Sequence, residues 1–218
     1  MNTTIARLEG RALAAYAEIL WKTCRVDIEG WNLAADILEG ASPFIFAAWH
    51  GQTHLLFPFI KGRLDLSRLA MIVVADHRED VLSTFARVIG AQTYPISMSD
   101  TTLAGARRLI ELIQALQAGK FSYITPDGPD GPPRVAKEGV AFLAARLEAR
   151  LIPIGAYCRT CFRLRRWDRY SLPLPYSRIR VAIGKPIRAS RDMDQRQLLR
   201  ELSQQMDAAL MEAERERS

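Results

Sequence analysis

All three histidines of this chain, His50, His54 and His77, lie in one stretch. His50 closes an apolar run, Phe44-Ile-Phe-Ala-Ala-Trp49, and is followed by Gly51. A neutral imidazole at such a strand end can accept a proton from a hydroxyl, because its ordinary pKa lies near working pH. The alternative is a ring that caps the strand. Gly51 leaves room beside the ring and Gln52 offers a donor. His50 and His54 are also four residues apart, the spacing of two metal ligands on a helix face. Gly51, however, stands where a hydrolytic zinc motif needs glutamate. Cys158-Arg-Thr-Cys161 has only Cys24 beside it in the whole chain, so no partner pair completes a metal site.

A second chemical feature is the turn Thr125-Pro-Asp-Gly-Pro-Asp-Gly-Pro-Pro133. Two Asp-Gly steps and four prolines make it stiff. Gly128 and Gly131 allow a ligand to approach backbone amides closely. With Thr125 at its start, Arg134 and Lys137 beyond it and a helix following, the turn is either a phosphate cradle or a rigid structural corner. It lacks the Gly-Lys-Ser/Thr ending of a Walker loop.

The third feature is charge. The net charge is +6, yet Arg159 to Arg188 holds nine basic residues against Asp168 alone. Phe162, Trp167, Tyr170, Leu172, Leu174 and Tyr176 are interleaved with them. Such a surface suits an anionic membrane, a nucleic-acid backbone, or a solvated loop whose long stems cover the core edge. No nucleic-acid module is recognisable, so no nucleic-acid partner is expected.

The elements that must position these groups follow from periodicity. Ile5, Leu8, Ala12, Tyr16, Ile19 and Thr23 recur at three- and four-residue steps, predicting an amphipathic N-terminal helix over 1–24. Its apolar stripe either packs on the domain or lies in a lipid interface. Residues 44–49, 70–75, 121–125, 151–157 and 179–183 read as strands. Residues 52–60, 78–89, 102–118 and 136–148 read as helices between them. This alternation predicts an α/β domain over 25–190, with a mostly parallel central sheet flanked by helices. A C-terminal helix over 191–218 packs by one face. Ligands gather at the carboxyl ends of such strands, where His50, Asp76 and Asp127 stand.

The order of motifs resembles the bacterial domain-of-unknown-function branch of the lysophospholipid acyltransferase superfamily, the glycerolphosphate-acyltransferase-like fold. The residues carrying the resemblance are Trp49-His50-Gly51, Asp76-His-Arg-Glu-Asp80, Ser97 to Gly105, the Thr125-Pro-Asp-Gly-Pro turn, Leu151-Ile-Pro-Ile-Gly155, Trp167-Asp-Arg-Tyr, Pro173-Leu-Pro-Tyr176 and Gly184-Lys-Pro186. The resemblance implies acyl transfer from a thioester, carried by coenzyme A or acyl carrier protein, to a hydroxyl of a lysophospholipid-like or other lipid acceptor. It implies no further cofactor and a peripheral place on the cytoplasmic face of the cell membrane. His50 would be the general base. Gly51, Gln52, Thr125, Gly128, Gly131, Arg134 and Lys137 would bind substrate. The superfamily's usual aspartate, five residues after the histidine, is replaced by Leu55. The orienting carboxylate is therefore expected from Asp80 or Asp127. A cation is also expected where Asp130 stands. These departures leave a second reading, a non-catalytic lipid- or acyl-binding protein that retains the fold.

Composition sets the outer bounds. With 218 residues, 49% of them hydrophobic and 25% charged, the chain can bury a full core without disulfides or a structural metal. No apolar run approaches the ~20 residues that cross a bilayer. The first residues lack the pattern of a secretory signal, and the odd cysteine count fits a reducing compartment.

Overall fold

Residues 3–74, 76, 78–96 and 102–215 are described by the computed structural model. The first half runs α1 (Thr3–Thr23), β1 (Arg25–Glu29), α2 (Trp31–Glu39), β2 (Phe44–Ala47), α3 (Thr53–Arg63), β3 (Ala70–Val74), α4 (Glu79–Ile89), β4 (Gln92–Ile96) and α5 (Leu103–Gln117). The second half adds β5 (Ser122–Ile124), α6 (Glu138–Leu147), β6 (Arg150–Cys158), β7 (Cys161–Arg163), β8 (Ser171–Pro173), β9 (Arg178–Ile183), β10 (Ile187–Arg188) and α7 (Gln195–Glu214).

The central sheet has the order β1-β9-β6-β2-β5, with β10 also pairing β6. β2 runs parallel to both β5 and β6, and β1 runs parallel to β9, while β6 and β9 are antiparallel. β3 and β4 form a parallel pair that reaches β5 through one bridge, Leu69 to Phe121. The expected mostly parallel sheet flanked by helices is the architecture found.

β2 shows why its run is apolar throughout. Successive side chains of a strand point to opposite faces. Phe44, Phe46 and Ala48 accordingly enter one core cluster with Leu55, Phe59 and Phe121. Ile45, Ala47 and Trp49 enter the other, with residues of α5, α6 and α7. Both faces are covered, so the chain that emerges at His50 comes from a strand with no freedom to tilt. α7 lies across β6 and buries Leu198, Leu202, Met206 and Leu210.

α1 departs from the expectation drawn from its apolar stripe. It buries Ala6, Gly10, Ala14, Ala17 and Leu20, and leaves Ile5, Leu8 and Ile19 exposed. Small side chains let the helix backbone settle closely on α3 and α4, and of its larger aliphatics Leu20 packs inward while Ile5, Leu8 and Ile19 face outward. Of the stripe, Tyr16 turns inward, where its hydroxyl donates to Pro173 O at 2.7 Å. Sequence periodicity finds an apolar face but does not say that the small-residue face will be the buried one.

β1, α2, β4 and the β7–β8 hairpin were not among the expected elements. β1 alternates charged Arg25, Asp27 and Glu29 with Val26 and Ile28, as an edge strand does. β4 carries Pro95 and, among the described residues, pairs only with β3, which is where a sheet tolerates proline. Ala75, which ends an expected strand, and His77 and residues 97–101, which fall in two of the expected motifs, lie outside the described residues, as do the first two and last three.

Candidate active site

His50 begins a short 3-10 turn, His50–Gln52, between the end of β2 and α3. Both of its peptide groups are held. Its N–H donates to Asp127 Oδ1 at 2.9 Å, and its carbonyl accepts from the Thr53 hydroxyl at 2.8 Å. The imidazole Nδ1 lies 2.7 Å from Asp168 Oδ2. The Asp168 side chain is 1% exposed and that of His50 is 23% exposed. A carboxylate can only accept, so Nδ1 carries a hydrogen, and in the neutral ring that leaves the lone pair on Nε2. That is the tautomer a general base needs.

The ring is framed on both sides. Trp167 stacks on it with ring centres 5.5 Å apart and planes 28° apart, and Tyr170 tilts against it at 5.5 Å. Gly128 of the proline-rich turn sits at its Cδ2 edge, where an added Cβ would stand 2.8 Å from Cδ2. Cδ2 is bonded to Nε2, so the basic nitrogen borders the turn.

Gly51 is required by the opposite wall. A side chain there would collide with the backbone carbonyl oxygen of Asp168. Glycine alone lets the 164–170 loop, which joins β7 to β8, descend far enough to bring its carboxylate to the ring. Within that loop the Tyr170 N–H donates to Asp168 Oδ1 at 3.2 Å, and Arg166 Nε stands 3.7 Å from the same oxygen.

The two carboxylates expected to orient His50 are therefore elsewhere. Asp127 is buried, and its second oxygen accepts the Arg134 N–H at 3.1 Å. It ties two backbone segments together and does not reach the ring nitrogen. Asp80 is exposed in the first turn of α4. The carboxylate on Nδ1 belongs to Asp168, from the most basic part of the chain. Leu55, where the superfamily's aspartate was sought, is 2% exposed and fills the core beside Phe46 and Phe59. The sequence held one signal for Asp168: it is the sole acid among nine cations, set in the Trp-Asp-Arg segment.

The substrate-binding expectations divide in the same way. Gly51 and Gly128 border the ring. Gly131 has a positive φ of 75° and faces the Trp167 ring, with an added Cβ 2.8 Å from Cε3. Thr125 accepts the Gly128 N–H through its carbonyl at 3.0 Å, so it shapes the turn. Gln52 is buried and its Oε1 accepts the Ala156 N–H at 2.7 Å, which commits it to β6 and away from the cleft. Lys137 Nζ donates to Gly128 O at 2.9 Å. Arg134 is exposed, with Nη1 at 3.8 Å from Asp207. Asp130, at the tip of the turn, faces Arg78 at 3.8 Å.

His54 lies on α3 beneath the first histidine. Its Nδ1 is 2.6 Å from the Tyr170 hydroxyl, and burial, with a smaller contribution from His50, pushes its pKa down to about 4. Burial likewise raises the Tyr170 hydroxyl far above its ordinary range. Both are therefore neutral, and the hydroxyl donates to Nδ1. The two histidines have different partners, and among the described residues no group of three His, Cys, Asp or Glu is placed to hold a metal ion. The described residues also include no helix long and apolar enough to cross a membrane.

The basic segment separates into two parts. Arg178 pairs with Asp27, and Arg180 binds the last carbonyls of α7 at Glu214 and Arg215. Arg163, Arg165, Arg166 and Arg169 stand exposed on the hairpin, with exposed Phe162, Leu174 and Tyr176 on or beside it.

No protein-family model matches the chain. An uncharacterised protein of Rickettsia prowazekii (strain Madrid E) is 29% identical over 144 residues, which span 66% of this chain and 63% of that protein. Among solved structures, the 1-acyl-sn-glycerophosphate acyltransferase PlsC of Thermotoga maritima matches with a TM-score of 0.59. That match covers 98% of this chain and 81% of the other, at 14% identity. The chain thus has the fold of an acyltransferase.

Proposed function

We propose that this chain, a member of the lysophospholipid acyltransferase superfamily in its bacterial branch of unassigned function, is an O-acyltransferase. It moves an acyl group from a thioester of coenzyme A or acyl carrier protein to a hydroxyl of a lysophospholipid-like acceptor. The observation that carries the reading is the 2.7 Å contact between His50 Nδ1 and the buried Asp168 carboxylate. Nε2 takes the acceptor's hydroxyl proton as its oxygen attacks the thioester carbonyl carbon. The new C–O bond forms, the C–S bond breaks, and the proton passes from the imidazolium to the departing thiolate. Asp168 stabilises the imidazolium during the transfer. Arg134 and Lys137, exposed beside the turn, are the cations assigned to a substrate phosphate.

The same reading seats the protein peripherally on an anionic bilayer at the inner face of the cell membrane. The hairpin's exposed arginines lie beside aromatic and aliphatic tips, and α1 presents Ile5, Leu8 and Ile19 outward. Cations flanking an exposed apolar face suit a headgroup interface. The hairpin would then carry both the lipid contact and the acid of the site.

The deciding experiment supplies acyl-coenzyme A and acyl carrier protein thioesters with lysophospholipid in phosphatidylglycerol vesicles. Product lipid is read by mass spectrometry. The wild-type chain is expected to form acylated product, and His50→Ala to abolish it with an unchanged circular dichroism spectrum. Turnover retained in His50→Ala removes the base assignment. Vesicle or acyl-chain binding without transfer from any donor replaces the enzyme with the non-catalytic lipid-binding reading.

A further inference from the structure

Beneath the His50–Asp168 pair lies a second histidine pair for which the proposed reaction has no chemical use. We infer that His54 and Tyr170 are positioning residues: together they clamp the 164–170 loop so that the Asp168 carboxylate stays on Nδ1 of His50. The inference rests on the reading of His50 as the base.

Four observations support it. The Tyr170 hydroxyl reaches His54 Nδ1 at 2.6 Å, and the two rings meet edge to face at 5.4 Å. Tyr170 is two residues from Asp168 and donates its own N–H to the Asp168 carboxylate. Its ring also rests against the His50 imidazole. Between the two residues Arg169 has a positive φ of 46°, a backbone state that arginine occupies at a cost. A loop keeps such a residue when contacts on both sides over-determine it. Here Asp168 is held by His50 on one side and Tyr170 by His54 on the other. From α1, Tyr16 packs on the His54 ring at 5.4 Å and donates to Pro173 O on the hairpin, extending the clamp to that helix.

His54 suits this task because it stays neutral. A protonated imidazole four residues from His50 would repel the imidazolium formed during transfer and could not accept from the tyrosine. The buried, uncharged ring offers an acceptor that does not compete with His50 for Asp168.

The test uses the whole chain uniformly labelled with nitrogen-15. The Nδ1 proton of His50 should appear far downfield and protected from exchange, and is assigned by its loss in both His50→Gln and Asp168→Asn. Tyr170→Phe removes one hydroxyl and should speed exchange of that proton roughly tenfold, as expected for the loss of one net hydrogen bond. His54→Leu should do the same. His54→Asn, which keeps an acceptor near the Nδ1 position, should recover most of the protection. In the same variants kcat should fall while KM holds. A wild-type exchange rate in Tyr170→Phe overturns the clamp. So does acceleration shared equally by the amides of β6 and β9, which makes the pair purely structural. Absence of acyl transfer by the wild-type chain overturns the reaction reading, while the proton still decides the clamp.

Discussion

Two loops each deliver a buried aspartate to His50, and they do opposite work. The corner after β5 brings Asp127 to the backbone, where one oxygen holds the His50 N–H and the other the Arg134 N–H. The loop between β7 and β8 brings Asp168 to the ring. The first fixes where the histidine stands, and the second fixes which nitrogen carries its proton. A residue type in a motif therefore does not define a role. The atom that it meets does.

The comparison predicts a graded set of losses. Asp168→Asn offers an amide to the ring in place of a carboxylate and no longer stabilises the imidazolium. Its kcat should drop roughly 10³- to 10⁴-fold with thermal stability nearly intact. Steady-state rates and a melting curve on the same preparation check this, and a loss under tenfold would break the contrast between the loops.

Next in size is a pH effect on the hairpin side. The folded-state pKa of His54 is depressed from its ordinary 6.5 to about 4 by burial. The unfolded chain binds that proton first, so the neutral form contributes stability above pH 6.5 that is lost as pH falls towards 4. Relative to His54→Asn, the wild type should lose about 3 kcal/mol across that window. Urea unfolding of both chains at pH 7 and pH 4.5 measures it, and parallel curves would refute the assignment.

The smallest effect is expected at the corner. Asp127→Asn keeps one acceptor and turns a donor towards the second N–H, stranding it at a cost of about 1–3 kcal/mol. The melting temperature should fall by about 5 °C, with kcat at low temperature changed far less than in Asp168→Asn. Equal catalytic losses in the two asparagine variants would mean that the loops do not divide the work.

The sequence revealed those parts of the site that depend on local chemistry. A continuous apolar run announced β2, His50 marked its end, and prolines with Asp-Gly steps announced the corner. Fold class followed from alternating strands and helices, and solved acyltransferase structure bears it out. Asp168 was hidden for a physical reason. It sits 118 residues from its partner, inside a run of arginines that reads as solvated surface, and nothing local says that the loop will fold back over β2. α1 was hidden differently, since Ile5, Leu8 and Ile19 advertise a face that the packed helix turns away from the core.

The distance along the chain between His50 and Asp168 also orders events during synthesis. By the time residue 63 has been made, the histidine, its turn and the following helix exist, but the ring has no acid to select its tautomer. That carboxylate exists only once the loop between β7 and β8 has been translated. On the proposed reading, a chain that ends before the hairpin holds its histidine and lacks the carboxylate that orients it.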